Sequence, residues 1–569
     1  MKQIRLRVII IGGLFILFFA TIGVKATYLQ VFRGSWLSQK AADQYEVSYK
    51  SAGKRGTIFD RNLREMAVSI DVESIAAHPK QIENPKKVAG LLSKTLKINR
   101  RDLAKKLYFK KKFVWIERKV TPKEAEAVKK LEIDGLDFVP EHKRFYPNRT
   151  LAAQLIGFTD IDDHGLEGLE FYYNDELSGS VFEYTVLRDA HGRGFDAENP
   201  AGSAFSGRNL VLTIDSTIQY IAEKALAEAV EKFSAKSGMA VVMDPKTGAL
   251  LALAQVPLFN PNALNDFNRK VWRNRIITDP FEPGSTMKIF SAAAAIESGN
   301  SSPSSIFYCE NGAYKMGDHV IHDTHEHGWL SLQQIVKYSS NIGAVKFSAA
   351  AGPEYLFKTL RNFGFGEKTG IDCPGETAGS LAPYQRWTKV DAGTIAFGQG
   401  VSVSALQLIT AISAVANKGI LMRPYAVQAI TDHYGRLIRS FGPKSVKRAI
   451  SEKTAGTLTR IMQTVITDGG TGVNAALDGY SVCGKTGTAQ KIDENGRYSN
   501  EKYVASFVGF APVENPKISV LVVVDEPQKE HYGSSVAAPA FKTIAQKTLD
   551  YMNIAPKRST DKLMVSLRR

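Results

Sequence analysis

Residues 279–291, DPFEPGSTMKIFS, set the reading of this chain. Pro283 and Gly284 make a turn that delivers Ser285 to the start of a helix. The apolar and small residues Ile289, Phe290, Ala292 to Ala295 and Ile296 carry that helix on to Ser298-Gly299-Asn300, a C-terminal stop. Residues three apart on a helix are neighbours on one face, so Lys288 is expected beside the Ser285 hydroxyl. A serine alone is a poor nucleophile, and a neutral lysine within hydrogen-bond reach can take its proton. The same S-x-x-K spacing recurs at Ser51/Lys54, Ser499/Lys502 and Ser559/Lys562, in polar or charged contexts with no apolar helix behind it.

Two later motifs extend the constellation. Ser339-Ser340-Asn341 falls late in a helix-like run that starts near Ser331. There a serine can relay a proton, and an amide two residues on can orient a lysine and a substrate amide. Lys485-Thr486-Gly487-Thr488 follows a strand at Tyr480 to Cys483. A cation and two hydroxyls there can hold a carboxylate, and the glycine lets a substrate backbone come close. K-T-G also occurs at Lys246 in a hairpin turn and at Lys368 in a glycine-rich loop, but only Lys485 opens a strand-like segment after the other two motifs.

At 569 residues the chain is too long for one ordinary domain, and its 44% hydrophobic content builds large cores rather than a disordered chain. The net charge is +16, and between Lys86 and Lys130 stand 16 basic and 4 acidic residues. That segment reads as a solvated, lysine-rich helical face in preference to a site for an anionic polymer or membrane surface. Nucleic acid is not expected, because no zinc spacing or RNA-binding motif accompanies the charge. Cys309, Cys373 and Cys483 form no framework, although one bridge is possible.

In chain order, the basic residues Lys2, Arg5 and Arg7 precede Val8 to Val24, 17 residues without a charge. This reads as a membrane-spanning helix over residues 8–28, with residues 1–7 in the cytoplasm and the bulk of the chain outside the membrane. Residues 30–205 show no catalytic constellation and read as a scaffold of short strands and basic helices. A second domain opens near Asn209 with a strand to Asp215 and a helix from Ser216 to Phe233. Strands follow at Met239 to Pro245 and Ala249 to Val256, then helices near residues 331–349, 404–417 and 453–467. Strands at Tyr503 to Ala511 and Lys517 to Asp525 and a helix from Ala537 to Met552 close it. The fold class is α+β: an antiparallel sheet with helices on both sides.

The order of the three motifs, each in its local context, resembles the penicillin-binding transpeptidase domain over residues 209–552. RGTIFDRN at Arg55 to Asn62 is similar to the start of the N-terminal pedestal of class B penicillin-binding proteins. GIDCPGE at Gly370, IAFGQGVSVSALQLITAISAVANKG at Ile395 and GKTGTAQK at Gly484 resemble further signatures of that family. Asn341 within SSNIG resembles the cell-division type, whereas the elongation type commonly carries Asp there. The resemblance implies a pedestal or dimerisation-like domain over 29–205, a transpeptidase domain over 206–555 and a basic tail over 556–569.

By resemblance, Ser285 attacks the penultimate D-Ala carbonyl of a peptidoglycan stem peptide, with Lys288 as base. Ser339 passes a proton to the leaving D-Ala, and Asn341 steadies Lys288. Lys485, Thr486 and Thr488 hold the terminal carboxylate, with Gly487 between them, and the backbone N–H groups of Ser285 and Thr488 form an oxyanion hole. β-Lactams are expected to acylate Ser285. A SEDS-type, FtsW-like glycosyltransferase and other divisome membrane proteins are the implied partners, since the pedestal shows no paired carboxylates for glycan polymerisation. The rival readings are an elongation-type transpeptidase, a β-lactamase or β-lactam sensor, and a non-catalytic β-lactam-binding scaffold. His319, His322, His325 and His327, with Asp318 and Asp323, read as a hydrogen-bonded loop at the rim of the site. Their spacing fits no familiar zinc pattern, and no metal or cofactor is expected. Trp329 and Trp387 read as packing residues.

Overall fold

The computed structural model describes residues 2–108, 111, 113–188, 194–195, 205–263, 271–494 and 496–557. The end of the basic tail, residues 558–569, lies outside the described residues. The chain forms two compact units that interleave in sequence: Met1–Lys54, Asp71–Lys143 and Gly179–Gly207 in one, and Arg55–Ile70, Arg144–Ser178 and Arg208–Arg569 in the other.

In the first unit, helix α1 (Lys2–Thr27) continues through a short π turn, Tyr28–Phe32. Among the described residues the stretch Lys2–Phe32 is the one helix long and apolar enough to cross a membrane, and α1 includes the basic residues Lys2, Arg5 and Arg7. Helices Pro85–Leu96, Arg100–Tyr108 and Pro122–Lys129 are amphipathic. They bury Ala89, Leu92, Leu103, Leu107 and Val128 in a small core with Ile75 and Ile116, while Lys86, Lys87, Lys94, Arg101 and Lys105 point to solvent. These basic side chains of the helices are exposed, while Lys119 is buried.

The second unit is built on five strands: β1 (Ser237–Met243), β2 (Leu250–Val256), β3 (Cys483–Ile492), β4 (Tyr498–Ala511) and β5 (Ile518–Asp525). They pair antiparallel in the order β2-β1-β5-β4-β3. Both faces of the sheet are covered, and side chains two apart share a face. Ala240, Val242, Val520 and Val522 enter the core formed with α2 (Ser216–Lys232). Met239, Val241, Leu521 and Val523 enter the larger core on the other face. That larger core also holds α3 (Lys288–Glu297), α4 (Leu332–Tyr338), α5 (Asn341–Ala351), α6 (Ala405–Ala416) and α7 (Glu452–Thr464). The closing helix α8 (Ala538–Tyr551) packs with α2.

The RGTIFDRN stretch is itself part of this second unit. Ile58–Phe59 pairs parallel with Asn209–Leu212. Arg55 Nε donates to Glu170 at 2.6 Å, and Arg144 Nε donates to the other carboxylate oxygen at 2.6 Å. All three side chains are buried. A buried carboxylate gripped by two guanidinium groups is costly to break, since removing one partner leaves an uncompensated charge.

Two expectations need correction, and the question of a cysteine bridge, left open by the sequence, is answered. The helix read over residues 331–349 is two helices, because Ser339 takes a left-handed backbone (φ +64°) and Ser340 caps α5 by accepting from the Gly343 N–H at 2.9 Å. The strand carrying Lys485 begins at Cys483 rather than ending there. None of the three cysteines is bridged, and each is buried alone.

Candidate active site

Ser285 lies in a 3₁₀ turn, Gly284–Met287, that leads directly into α3. Gly284 takes φ +54°, and a Cβ there would meet the Thr488 carbonyl at 2.9 Å. A Cβ on Gly398 would fall 2.2 Å from the Gly284 carbonyl oxygen. Two glycines thus press the nucleophile's turn between the edge strand β3 and the loop before α6.

Lys288, one turn on from Ser285, is fully buried, while Ser285 stays partly open to solvent. Lys288 Nζ is 3.0 Å from Ser285 Oγ, 2.5 Å from the Ser339 carbonyl oxygen, 2.7 Å from Asn341 Oδ1 and 3.2 Å from Ser339 Oγ. The break between α4 and α5 makes this possible. On one continuous helix, residues 339 and 341 would diverge by about 200°; across the break their oxygens converge on one amine. A carbonyl and an amide oxygen only accept. They take the two N–H bonds of a neutral amine, which leaves its lone pair for the Ser285 O–H. Burial pushes the Lys288 amine down to about 7, against a smaller opposing pull from the Asp323 carboxylate.

Lys485 on β3 is also fully buried, and burial first and the nearby Lys288 second push its amine well down. Its Nζ donates to Ser339 Oγ at 2.9 Å and to Thr486 Oγ1 at 3.2 Å. Ser339 Oγ therefore bridges the two lysines. Thr486 Oγ1 donates to Thr471 Oγ1 at 3.1 Å, and Thr488 Oγ1 accepts from the Gly533 N–H at 3.1 Å. Thr488 is the member of this strand segment that remains partly open.

All eight residues singled out, Ser285, Lys288, Ser339, Asn341, Lys485, Thr486, Gly487 and Thr488, therefore cluster about one hydroxyl. Gly487 has an internal reason to be glycine: a Cβ there would stand 2.3 Å from Ser506 Oγ and 3.0 Å from the Pro283 carbonyl oxygen. The Lys246 and Lys368 copies of K-T-G are not in this group; Lys246 bonds Asn515 from the β1–β2 turn.

The chain's signature is thus matched by its geometry, and the penicillin binding protein transpeptidase domain matches residues 238–546, more than half of the sequence. This chain belongs to that family. The penicillin-binding protein dimerisation domain matches residues 50–212. The chain is 37% identical to a probable peptidoglycan D,D-transpeptidase PenA of Neisseria meningitidis, covering 95% of this chain and 92% of that one. It is 33% identical to the peptidoglycan D,D-transpeptidase FtsI of Escherichia coli, covering 97% and 93%. The structure is similar to penicillin binding protein 3 of Mycobacterium tuberculosis in complex with aztreonam, at TM-score 0.69 and 28% identity, over 89% of this chain and 98% of that one.

Several residues at this penicillin-binding site escaped the motif reading. Asp323, grouped in the sequence with four histidines, instead caps α5 beneath Asn341. Thr471 carries no motif at all and bonds Thr486 from the loop after α7. Glu282, inside the opening stretch, accepts from the Gly400 N–H at 2.9 Å and from Tyr498 Oη at 3.2 Å, and burial pushes its carboxyl up. The histidines do not gather: His319 and His322 lie on a hairpin strand, and His327 stacks on Tyr338. Among the described residues no three metal-ligating side chains converge. Trp387 packs against Phe357, and Trp329, though 69% exposed, sets its ring 5.1 Å from that of Tyr308.

Proposed function

We propose that this chain is a serine-type peptidoglycan D,D-transpeptidase that cross-links stem peptides at the division septum. The observation that carries the reading is the buried Lys288 amine, 3.0 Å from Ser285 Oγ, with two obligate acceptors on its N–H bonds.

In this reading the Ser285 hydroxyl donates its proton to Lys288 as Oγ attacks the carbonyl carbon of the penultimate D-Ala. The backbone N–H groups of Ser285 and Thr488 receive the oxyanion. The terminal carboxylate is received by the hydroxyls of Thr486 and Thr488, with Lys485 behind them, and Gly487 keeps that strand edge low. As the tetrahedral adduct collapses, Lys288 passes its proton through Ser339 Oγ to the departing D-Ala amine. The acyl-enzyme is then resolved by the amine of a second strand, whose proton returns along the same path. A β-lactam acylates Ser285 by opening its ring, so its leaving group stays tethered and the acceptor amine is shut out.

The N-terminal helix supports reading the chain as a single-pass protein of the cytoplasmic membrane. The positive charges before Val8 support an N-terminus in the cytoplasm with the site outside. In this reading residues 29–205 form the pedestal segment, of which Arg55–Ile70 and Arg144–Ser178 belong to the same compact unit as the catalytic domain, 206–555; residues 1–7, 8–28 and 556–569 are tail, anchor and basic end. Glycan polymerisation falls to an FtsW-like partner of the divisome. Asn341 in SSNIG favours the division role over the elongation role.

Fluorescent penicillin labelling of the wild type against Ser285→Ala tests the nucleophile: the variant should stay dark, and undiminished labelling removes the assignment. Depletion of the protein should give filaments, and round cells would place it in elongation instead.

A further inference from the structure

We propose that Asp323 is a positioning residue for acylation: its carboxylate fixes the α5 N-terminus so that the Asn341 amide oxygen faces Lys288, and it places a negative charge near that amine. This rests on Ser285 and Lys288 acting as proposed above.

The segment that ends at Asp323 lies over the start of α5. The hairpin Ala313–Met316 and His319–His322 leads to it, and the Asp323 N–H donates to the Gly312 carbonyl at 3.1 Å. One carboxylate oxygen accepts from the backbone N–H of Asn341 at 2.5 Å and of Ile342 at 3.0 Å. The other accepts from Ser340 Oγ, the α5 cap. Next door, Asn341 Nδ2 donates to the His322 carbonyl at 2.9 Å. That last bond decides which way the amide points. With its nitrogen committed to His322, the Asn341 oxygen is the end left to accept from Lys288.

One short segment therefore sets both the backbone and the amide orientation of the residue that engages the base. A helix N-terminus favours a carboxylate, so the arrangement is stable in itself; its second consequence is electrostatic. The Asp323 charge favours the ammonium form of Lys288 and opposes the effect of burial. The other charged groups about this pair are Lys485, which faces Lys288 from β3, and Lys346 and Glu310, which pair with each other beside Cys309. The Cys309 thiol, near Ser340 and Asp323, is pushed up and stays neutral.

The test is the rate constant for acylation by a fluorescent penicillin against pH, on the full chain in detergent. Neutral Lys288 is the active form, so the rate rises with pH through the titration of the Lys288–Lys485 pair. Asp323→Asn keeps an acceptor for the two backbone N–H groups but loses the charge. Its midpoint should move to lower pH by about half a unit to one unit, with a plateau within about threefold of wild type. Asp323→Ala loses the cap as well, and its plateau should fall by about 30-fold or more through misplacement of Asn341. An unshifted midpoint in Asp323→Asn overturns the electrostatic half of the proposal. A plateau near wild type in folded Asp323→Ala overturns the positioning half. If Asp323→Ala does not fold, the Asn variant still decides, since a merely structural residue leaves the pH midpoint where it was.

Discussion

Asn341 Oδ1 stands 2.7 Å from Lys288 Nζ across the break between two helices, while its amide nitrogen is held by the His322 carbonyl. The base of this site is thus oriented by a neutral acceptor. Neutrality matters, because a second anion at this place would favour the ammonium form of Lys288, which has no lone pair for Ser285.

Asn341→Asp should therefore raise the pH midpoint of penicillin acylation. A carboxylate within about 3 Å of the amine favours its charged form and raises its titration by about one unit or more. At neutral pH the rate should fall roughly tenfold and recover as pH increases. Stopped-flow acylation between acid and alkaline pH measures both.

Gly487→Ala should damage the site from within. The new Cβ would sit 2.3 Å from Ser506 Oγ and 3.0 Å from the Pro283 carbonyl, so β3 must move away from the turn that carries Ser285. We expect acylation to fall by about 10- to 100-fold, with an unfolding temperature lowered by a few degrees for a cost of about 1–3 kcal/mol. Acylation kinetics and thermal unfolding of the same preparation check the two effects together.

The three motifs were legible because each depends on local chemistry: a turn before an apolar helix, a Ser/Asn pair, a lysine opening a strand. The sheet was legible from runs such as Ile518 to Val524, which are buried on both faces. What the motifs could not convey is long-range. Ser339 looks like a helix residue, and its left-handed backbone shows only in the fold, where α5 starts afresh on the Asp323 segment. Lys485 reads as a carboxylate ligand, and the motif does not show that in the fold it is fully buried, with its amine on Ser339 and Thr486. Gly487 reads as room for substrate, yet Ser506 on the neighbouring strand already requires it. The pairing of Ile58 with Leu210 is likewise invisible across 152 residues of separation, as is the grip of Arg55 and Arg144 on Glu170.

Glu223 gives a stability prediction with a definite sign. It is buried, accepts from Gln219 Nε2 and the Ala152 N–H, and its carboxyl is pushed from 4.5 up to about 7 by burial. Between those values the unfolded chain has lost a proton that the folded chain keeps, so stability falls as pH rises from 4.5 towards 7. Glu223→Gln should remove that slope, which amounts to at most about 3 kcal/mol. The difference in unfolding temperature between wild type and variant, measured across this range, isolates Glu223 from other buried carboxyls.

The central claim is that a neutral Lys288 amine takes the Ser285 proton, and the most direct measurement is the acylation rate constant of Lys288→Arg against wild type. A guanidinium keeps the charge and the donors but does not release its proton near neutral pH. The account requires the rate to drop by about 10³-fold or more at every pH where the variant stays folded. Acylation at the wild-type rate by folded Lys288→Arg would contradict it.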